Sequence, residues 1–382
     1  MSEEAIRYDA SCIKVLEGLE AIRRRPGMYA GSVGERGLRQ LVFEATDPAV
    51  AEILAGRATR VDVTLTADGG VRVADDGPGV PVEAAGHVGS PGLESLLTRP
   101  VTGADPGGRH SVTSGFVGVG PCVTNALSSS LRAEVRREGV RWVQEYVHGA
   151  AVSAPVTAGP ATGSGTTLVF RPDDTIFETT EFSFTALAER FRELAFLNRS
   201  LDISLTDERT SGEPRSVRWR FPDGVAEFVA FLDAEAGPPL HPDVIRFERE
   251  DPKAAGTVEV GLRWRGSGQE RIRSYANSRP TPDGGTHTEG FLGGVAAALN
   301  AYARKQRLLP PADPGLSTEQ ICAGLTAVVS VKVDEPEFLG ATSGALGNVT
   351  VRSAVEEAVR EHLGRWLEEQ PEWAAAVVGR LL

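Results

Sequence analysis

The segment that decides the fold is Val71-Arg72-Val73-Ala74-Asp75-Asp76-Gly77-Pro78-Gly79, an alternating strand that ends in acidic residues and glycines. The alternating stretch 61–66 precedes it across Ala67-Asp68-Gly69-Gly70, so the pair predicts a β-hairpin. A carboxylate directly after a strand can accept hydrogen bonds from an exocyclic amine, and Asp75 and Asp76 both stand at this position. The glycines at 77 and 79 would let the backbone approach such a ligand. A plain acidic turn is the alternative explanation of the same residues.

A second feature is Glu44, which lies in a predicted helix with apolar residues at 38, 41, 42 and 45. A carboxylate on the inner edge of a helix can orient and deprotonate a water molecule. Judged alone, a helical glutamate is more often a solvated side chain. Glu44 is therefore a candidate base only in combination with other features.

A third feature is the glycine-rich stretch Gly115-Phe116-Val117-Gly118-Val119-Gly120, which opens a predicted short helix. Such a loop presents backbone N–H groups to an anion, aided by the helix dipole. Alone, glycine spacing of this kind is weak evidence. It gains weight from its place after the two acidic features.

Composition limits the class of protein. The chain has 382 residues, a net charge of −12 and 41% hydrophobic residues, which fits a globular protein and argues against direct DNA binding. The arginines at 132, 136, 137 and 141 are interpreted as a solvated face or as the mouth of a pocket. No apolar run reaches about 18 residues, and the acidic N-terminus does not resemble a secretory signal. Together with three widely spaced cysteines, these features predict a cytoplasmic protein without a membrane span.

The pattern of elements predicts an α+β fold in two parts. Helices are expected near 13–22, 38–54, 93–97, 184–196, 224–234, 291–304 and 350–369, and strands near 131–147, 166–170, 256–265, 271–277 and 325–333. Residues 77–120 are rich in Gly, Pro, Ser and Thr and predict a long mobile segment around the short helix. A turn-rich stretch at 206–216 predicts a domain boundary, with one domain at 1–220 and a second at 221–382.

The order of these motifs, with Gly165-Thr166 starting a later strand, resembles the GHKL or Bergerat ATP-binding fold of gyrase, a heat-shock chaperone, histidine kinases and mismatch-repair proteins. Within that superfamily the chain is similar to the DNA gyrase B family. The segments that carry this similarity are Ile13–Leu19, Arg25–Tyr29, Leu194–Asn198, Asp283–His287 and Leu299–Tyr302. The resemblance runs from about residue 8 to 382 and covers an ATPase domain and a transducer domain. We find no counterpart here of the family's metal-binding topoisomerase module.

The resemblance implies a two-layer α/β sandwich followed by a ribosomal-protein-like βαβ transducer domain. It implies ATP as the ligand, Asp76 as the carboxylate that accepts from adenine, and Thr166 as the hydroxyl that supports this contact. Gly115, Gly118 and Gly120 would then cover the phosphates, and Glu44 would be the general base. Tyr8 would lie in an arm that reaches a dimer partner, and Arg137 at the mouth of the pocket.

Several positions depart from the family's pattern, and they cluster on the phosphate side. Pro48 replaces the magnesium-holding asparagine, Pro78 an arginine, and Val117 a histidine of the lid. Gly103-Ala104 and Ala341-Thr342-Ser343 lack the lysines expected at those places. Because proline cannot donate to the carbonyl of Glu44, a helix break at Pro48 is also predicted, with Asp47 as the new N-cap. These departures argue against a tightly held Mg²⁺.

Three functions are consistent with this pattern. The first is a gyrase-B-like ATP-binding protein with weak or lost hydrolysis, acting as a homodimer on gyrase or another partner. The second is an enzyme of a specialised pathway that uses the pocket for another small molecule, with Glu44, together with His110 of the lid, as acid and base. The third is the ATPase fragment of an active type II DNA topoisomerase. Whether the chain is an enzyme is left open at this point.

Overall fold

The computed structural model describes residues 18–83, 92–100, 119–210, 212–234, 237–266, 268–310, 312–340 and 344–382. Helices of the first half are α1 Gly18–Arg24, α2 Pro26–Ala30, α3 Glu35–Leu54, α4 Leu93–Thr98, α5 Cys122–Ala126 and α6 Phe184–Leu197. Its strands are β1 Val61–Leu65, β2 Val71–Asp75, β3 Ser128–Arg137, β4 Val140–Val147, β5 Ala150–Ala151, β6 Val156–Pro160, β7 Gly165–Pro172, β8 Ile203–Asp207 and β9 Arg215–Trp219. Predicted helices and strands of this half are present wherever they fall on described residues.

The described strands of the first half form one sheet in the order β5-β4-β3-β7-β2-β1-β8-β9, with β6 on β4. The expected hairpin joins β1 and β2 in antiparallel register, with Val61 opposite Asp75. Strand β8 lies parallel to β1, so the sheet is mixed rather than wholly antiparallel.

Helices cover one face of this sheet because alternate strand residues are apolar. Val61, Val63, Val71 and Val73 are buried in a core that they share with α3, α5 and α6. The rings of Phe43 in α3 and Phe191 in α6 meet edge to face at 6.0 Å. This arrangement makes two layers, with α3 lying over the end of β2.

Helix α3 runs without interruption from Glu35 to Leu54 and contains Pro48 in its interior, so the predicted break at Pro48 is wrong. An interior proline costs a helix about 3 kcal/mol. Val50 and Ile53 follow it on the same face and are fully or almost fully buried. Burial of each such side chain contributes about 1.5–3 kcal/mol, so a continuous helix that keeps both in the core offsets the cost of the proline.

The second half contains helices α7 Val225–Asp233, α8 Thr286–Lys305, α9 Thr318–Cys322, α10 Val349–Glu369 and α11 Pro371–Leu381. Its strands are β10 Ile245–Asp251, β11 Gly256–Trp264, β12 Arg271–Ala276, β13 Arg279–Pro280, β14 Leu325–Val333, β15 Phe338–Leu339 and β16 Ala345–Leu346. The five strands β10-β11-β14-β12-β13 form a second sheet, while β15 and β16 pair with each other. Helices α8 and α10 pack together against one face of this sheet.

Phe196 of α6 lies at the junction of the two halves. Its ring stacks on Phe221 at 3.8 Å and on Phe228 of α7 at 4.7 Å. Val328 of β14 and Tyr275 of β12 complete this cluster. The first sheet ends at residue 219 and the second begins at 245, and the domain division at 220 and 221 stays a prediction.

A tight turn of the second half also contacts the first half. Asn277 and Ser278 join β12 to β13 with φ values of 47° and 63°, as a two-residue hairpin of type I′ requires. Arg190 Nη2 of α6 donates to Ser278 O at 2.7 Å, and Asn198 Nδ2 donates to Ser278 Oγ at 3.0 Å. These buried hydrogen bonds fix the turn on the end of α6.

Candidate functional site

Asp75 lies where the end of β2 faces the helical layer. Because side chains alternate along a strand, Asp75 shares the inner face with Val71 and Val73. Its Oδ1 accepts from Gly77 N at 2.8 Å and from Thr166 N at 3.3 Å. Burial raises the pKa of the Asp75 carboxyl, and these two backbone bonds act against that rise.

Asp76, the carboxylate chosen from the sequence, points the other way. It accepts from Thr59 N at 2.8 Å, from the Thr59 hydroxyl, and from Arg60 N at 3.0 Å. Although burial acts to raise the pKa of Asp76, the bonds from Thr59 and Arg60 lower it overall. The structure therefore brings Thr166 together with Asp75 and does not bring it together with Asp76, because neighbouring residues of a strand face opposite sides.

Thr166 holds the loop that follows β2. Its side chain is almost fully buried, and its Oγ1 accepts from Val80 N at 3.1 Å. The residue before it, Gly165, has a φ of 144°, and a Cβ there would lie 2.1 Å from Asp75 O. Glycine at 165 is therefore required for β7 to approach the end of β2.

Arg137 closes the same loop from β3. Its Nη1 donates to Gly79 O at 2.8 Å, and its Nε donates to Glu138 at 3.1 Å. Gly79 has a φ of 76°, and a Cβ there would lie 2.6 Å from Arg136 O. Gly77 and Thr166 thus bind Asp75, and Arg137 binds Gly79 in the loop that follows; their role in a nucleotide pocket stays a prediction.

Glu44 lies in the middle of α3 and is 1% exposed, so it is not the solvated side chain that a lone helical glutamate usually is. Its Oε1 accepts from Gln40 Nε2 at 2.5 Å, and its Oε2 accepts from Gly120 N at 2.6 Å. The second bond joins the end of the glycine-rich stretch to the candidate base.

Sequence reasoning missed Gln40. The available signal was its position four residues before Glu44, which places the two side chains on one face of a helix.

The remaining sequence candidates lie outside the described residues: Tyr8, Gly115, Gly118 and His110, together with the departures at 103–104, 117 and 341–343. Pro78 is described and exposed. In the described part of the chain, no group of three or more His, Cys, Asp or Glu side chains could hold a metal ion. The same part has no helix with the length and apolar character that crossing a membrane requires.

The site thus has two ends. At the Asp75 end, a half-buried carboxylate lies beside glycines and Thr166, which suits a flat ligand that carries an amine. At the Glu44 end, a buried carboxylate lies beside a backbone N–H at the start of α5. Because α3 packs against β2, both ends belong to one region of the first half.

Two sequence models of known families match the chain. Residues 34–176 match the model of histidine kinase-, DNA gyrase B- and HSP90-like ATPases. Residues 224–382 match the model of DNA gyrase B. Together the two matches cover parts of both halves.

Among curated proteins, DNA gyrase B of Streptomyces coelicolor is 44% identical over 387 residues. The novobiocin-resistant DNA gyrase B of Streptomyces niveus is 45% identical over 386 residues. Each match includes 97% of this chain but only 56% and 57% of the relative, so the chain spans little more than half their length.

Among solved structures, the 43K ATPase domain of Thermus thermophilus gyrase B in complex with an aminocoumarin is 35% identical with a TM-score of 0.79. That match covers 95% of this chain and 93% of the other. The B-subunit of the DNA gyrase from Myxococcus xanthus is 26% identical with a TM-score of 0.77, over 95% and 99% of the two chains. These similarities agree with the α+β architecture of the chain.

Proposed function

Because the chain belongs to the DNA gyrase B family and has the GHKL fold, we propose that it binds ATP between α3 and the end of β2 and hydrolyses it slowly or not at all. The observation that carries this proposal is the contrast between the two ends of the site. The Asp75 end is complete, whereas Pro48 replaces the asparagine expected beside the Glu44 end.

At the adenine end, Asp75 takes the role that the sequence assigned to Asp76. In the described part of the chain, Gly77 N and Thr166 N both donate to Asp75 Oδ1. The other oxygen, Oδ2, can therefore accept from the exocyclic amine of adenine. A hydrogen bond to a carboxylate that is partly shielded from solvent, as Asp75 is, is stronger than one made in bulk water. Thr166 supports the contact from β7, and Gly77 and Gly79 allow the close approach of the purine.

At the phosphate end, the residues do not fit a protein-held Mg²⁺. Pro48 offers no side-chain oxygen, and both oxygens of Glu44 already accept hydrogen bonds from Gln40 and Gly120. Magnesium needs near-octahedral oxygen ligands and is usually held by carboxylates and phosphates. For Glu44 to accept a proton from water, one of its present bonds would have to lengthen or break.

The test is isothermal titration with adenosine, ADP and ATP, each with and without Mg²⁺, together with a measurement of phosphate release. We expect all three ligands to bind, with a change in Kd of less than about threefold on adding Mg²⁺, and phosphate release close to background. Inosine triphosphate, which lacks the exocyclic amine, is the matched control and should bind at least about tenfold more weakly than ATP. Tight Mg²⁺-dependent ATP binding with steady turnover would refute the proposal.

The family membership also favours a second candidate function, as the amino-terminal part of a DNA topoisomerase that acts as a homodimer together with the other gyrase protein. The supporting observation is the match of 97% of the chain to DNA gyrase B. A supercoiling assay with a matching DNA gyrase A protein distinguishes the two candidates. ATP-dependent supercoiling supports the topoisomerase, whereas DNA that stays relaxed argues against it for this chain and leaves hydrolysis to be decided by the phosphate-release measurement.

A further inference from the structure

The second half contains a cavity of about 360 Å³ where its last two helices meet the chain that leads into β10. Helix α10 ends at Glu369 and α11 begins with Pro371, because proline suits the first turn of a helix but not its interior. The half-buried side chains of Trp366 and Trp373, one from each helix, line the cavity together with the segment 241–246. A cavity of this volume is large enough for a small molecule.

The buried ring of His241 also lines this cavity, and it does so in its neutral form. Nδ1 lies 2.7 Å from Asp243 O and donates to it, while Nε2 accepts from Trp264 N at 3.3 Å. A single proton on the ring therefore satisfies both contacts. Burial lowers the pKa of His241, so the ring is uncharged near neutral pH. Its centre lies 5.0 Å from that of the Trp366 ring.

His362 adds a second uncharged imidazole to the lining. Its ring stacks on that of Phe247, with centres 4.5 Å apart. Burial lowers the pKa of His362, and the positive charge of Arg365 lowers it further. Two imidazoles and two indoles therefore line the cavity without adding positive charge. The face of an indole attracts a cation, and its N–H can only donate a hydrogen bond.

The charged side chains of the lining are unevenly paired. Its two arginines each form an ion pair of 3.0 Å with an acid outside the lining, Arg246 with Asp223 and Arg365 with Glu361. The two acids of the lining, Asp243 and Glu369, are exposed and form no ion pair with any residue that the structure describes. The cavity therefore has uncompensated negative charge at its edge and aromatic faces inside.

We propose that this cavity binds a small organic cation with a methylated, quaternary ammonium head group. The free carboxylates attract a cation, and the indole faces stabilise it once it has lost water. Methylation follows from the hydrogen bonds available: a primary ammonium would lose bonds to water that donor-only indoles cannot replace, whereas a quaternary ammonium has none to lose. This site lies apart from the Asp75 and Glu44 ends and does not depend on the proposed ATP binding.

The test measures the Kd of choline for the unmodified chain, followed through the proton NMR signal of its methyl groups. The matched control ligand is 3,3-dimethylbutan-1-ol, which has the same shape but carbon in place of the charged nitrogen. We expect choline to bind at least about fivefold more tightly than this alcohol. Its methyl signal should move upfield on binding, because protons above an aromatic face are shielded by the ring current.

Two kinds of variant locate the site. Glu369→Gln should weaken choline by about 3- to 10-fold and change the Kd of the alcohol by less than about twofold. Glu372→Gln removes the same charge from an exposed position outside the lining and should leave both Kd values unchanged. Trp366→Leu should weaken choline by about 5- to 30-fold, and Trp366→Phe, which keeps an aromatic face, should have a smaller effect.

The comparison of a charged and an uncharged ligand separates cation binding from a merely structural role, because damage to packing would weaken both. Equal Kd values for choline and the alcohol in the unmodified chain, or no saturable binding of choline, would overturn the inference. An equal loss for both ligands in Glu369→Gln would overturn it as well. Should Trp366→Leu fail to fold, an unchanged choline Kd in Glu369→Gln, whose side chain is exposed, would be sufficient to reject it.

Discussion

The choice between Asp75 and Asp76 as the adenine-binding carboxylate can be decided by changing each to asparagine. Asp75→Asn keeps an oxygen that can accept from Gly77 N and Thr166 N, so the loop after β2 should be retained. Asp75→Asn removes the negative charge from the group that would accept a hydrogen bond from the exocyclic amine. Loss of a hydrogen bond to a charged group costs about 1.5–3 kcal/mol, which raises the Kd about 10- to 150-fold.

The two variants should differ in stability as well as in binding. Burial raises the pKa of Asp75, so its ionised form disfavours folding above that pKa, and Asp75→Asn should not lower the free energy of unfolding near pH 7. The pKa of Asp76 is lowered overall, so its ionised form stabilises the fold at pH values above the unfolded pKa. Asp76→Asn should lower the free energy of unfolding by about 1–2 kcal/mol at pH 7, and this loss should fade as the pH falls below about 4.

The assay is isothermal titration of ADP without Mg²⁺, with urea unfolding of the same preparations. We expect Asp75→Asn to bind at least about tenfold more weakly with unimpaired stability, and Asp76→Asn to bind within about threefold of the unmodified chain. The reverse result, with binding lost in Asp76→Asn and retained in Asp75→Asn, would show that the geometry around Thr166 does not mark the adenine end.

Three other predictions test the stability of the fold. Pro48→Ala restores a backbone donor inside α3 and should raise the free energy of unfolding, measured with urea, by about 2–3 kcal/mol. No increase would mean that the helix has already relaxed around the proline. Gly165→Ala places a Cβ 2.1 Å from Asp75 O and should weaken ADP binding and lower the free energy of unfolding together. The control is Gly139→Ala, because Gly139 has a φ of 77° but open space around it. This control should lower the free energy of unfolding by about 1–2 kcal/mol and leave the Kd of ADP unchanged. Burial lowers the pKa of His287 from 6.5 to about 4, so the unfolded chain binds the extra proton between these values. The free energy of unfolding should therefore fall by up to about 3 kcal/mol from pH 6.5 to pH 4, and an equally steep fall in His287→Gln would exclude this histidine as the cause.

Much of the fold follows from local patterns. The alternation in Val61–Leu65 and Val71–Asp75 and the glycines between them predicted the hairpin, and helical spacing predicted α6. The same alternation also indicates which aspartate faces the helices. Asp75 lies an even number of residues from the buried Val71 and Val73 and so shares their face, whereas Asp76 lies on the opposite face. The prediction of a break in α3 failed for a different reason: the intrinsic effect of Pro48 was weighed without the burial of Val50 and Ile53.

The sequence by itself determined the family, the order of the elements, and the residue types available to the site. Only the tertiary structure decided that Asp75 joins Thr166 across 91 residues, that Glu44 joins Gly120 across 76, and that Arg190 of the first half binds Ser278 of the second across 88. Periodicity expresses interactions between residues a few positions apart, so a local pattern can predict helices and strands. Contacts between distant residues depend on how those elements pack and on which polar groups are buried together, and local patterns alone do not specify that.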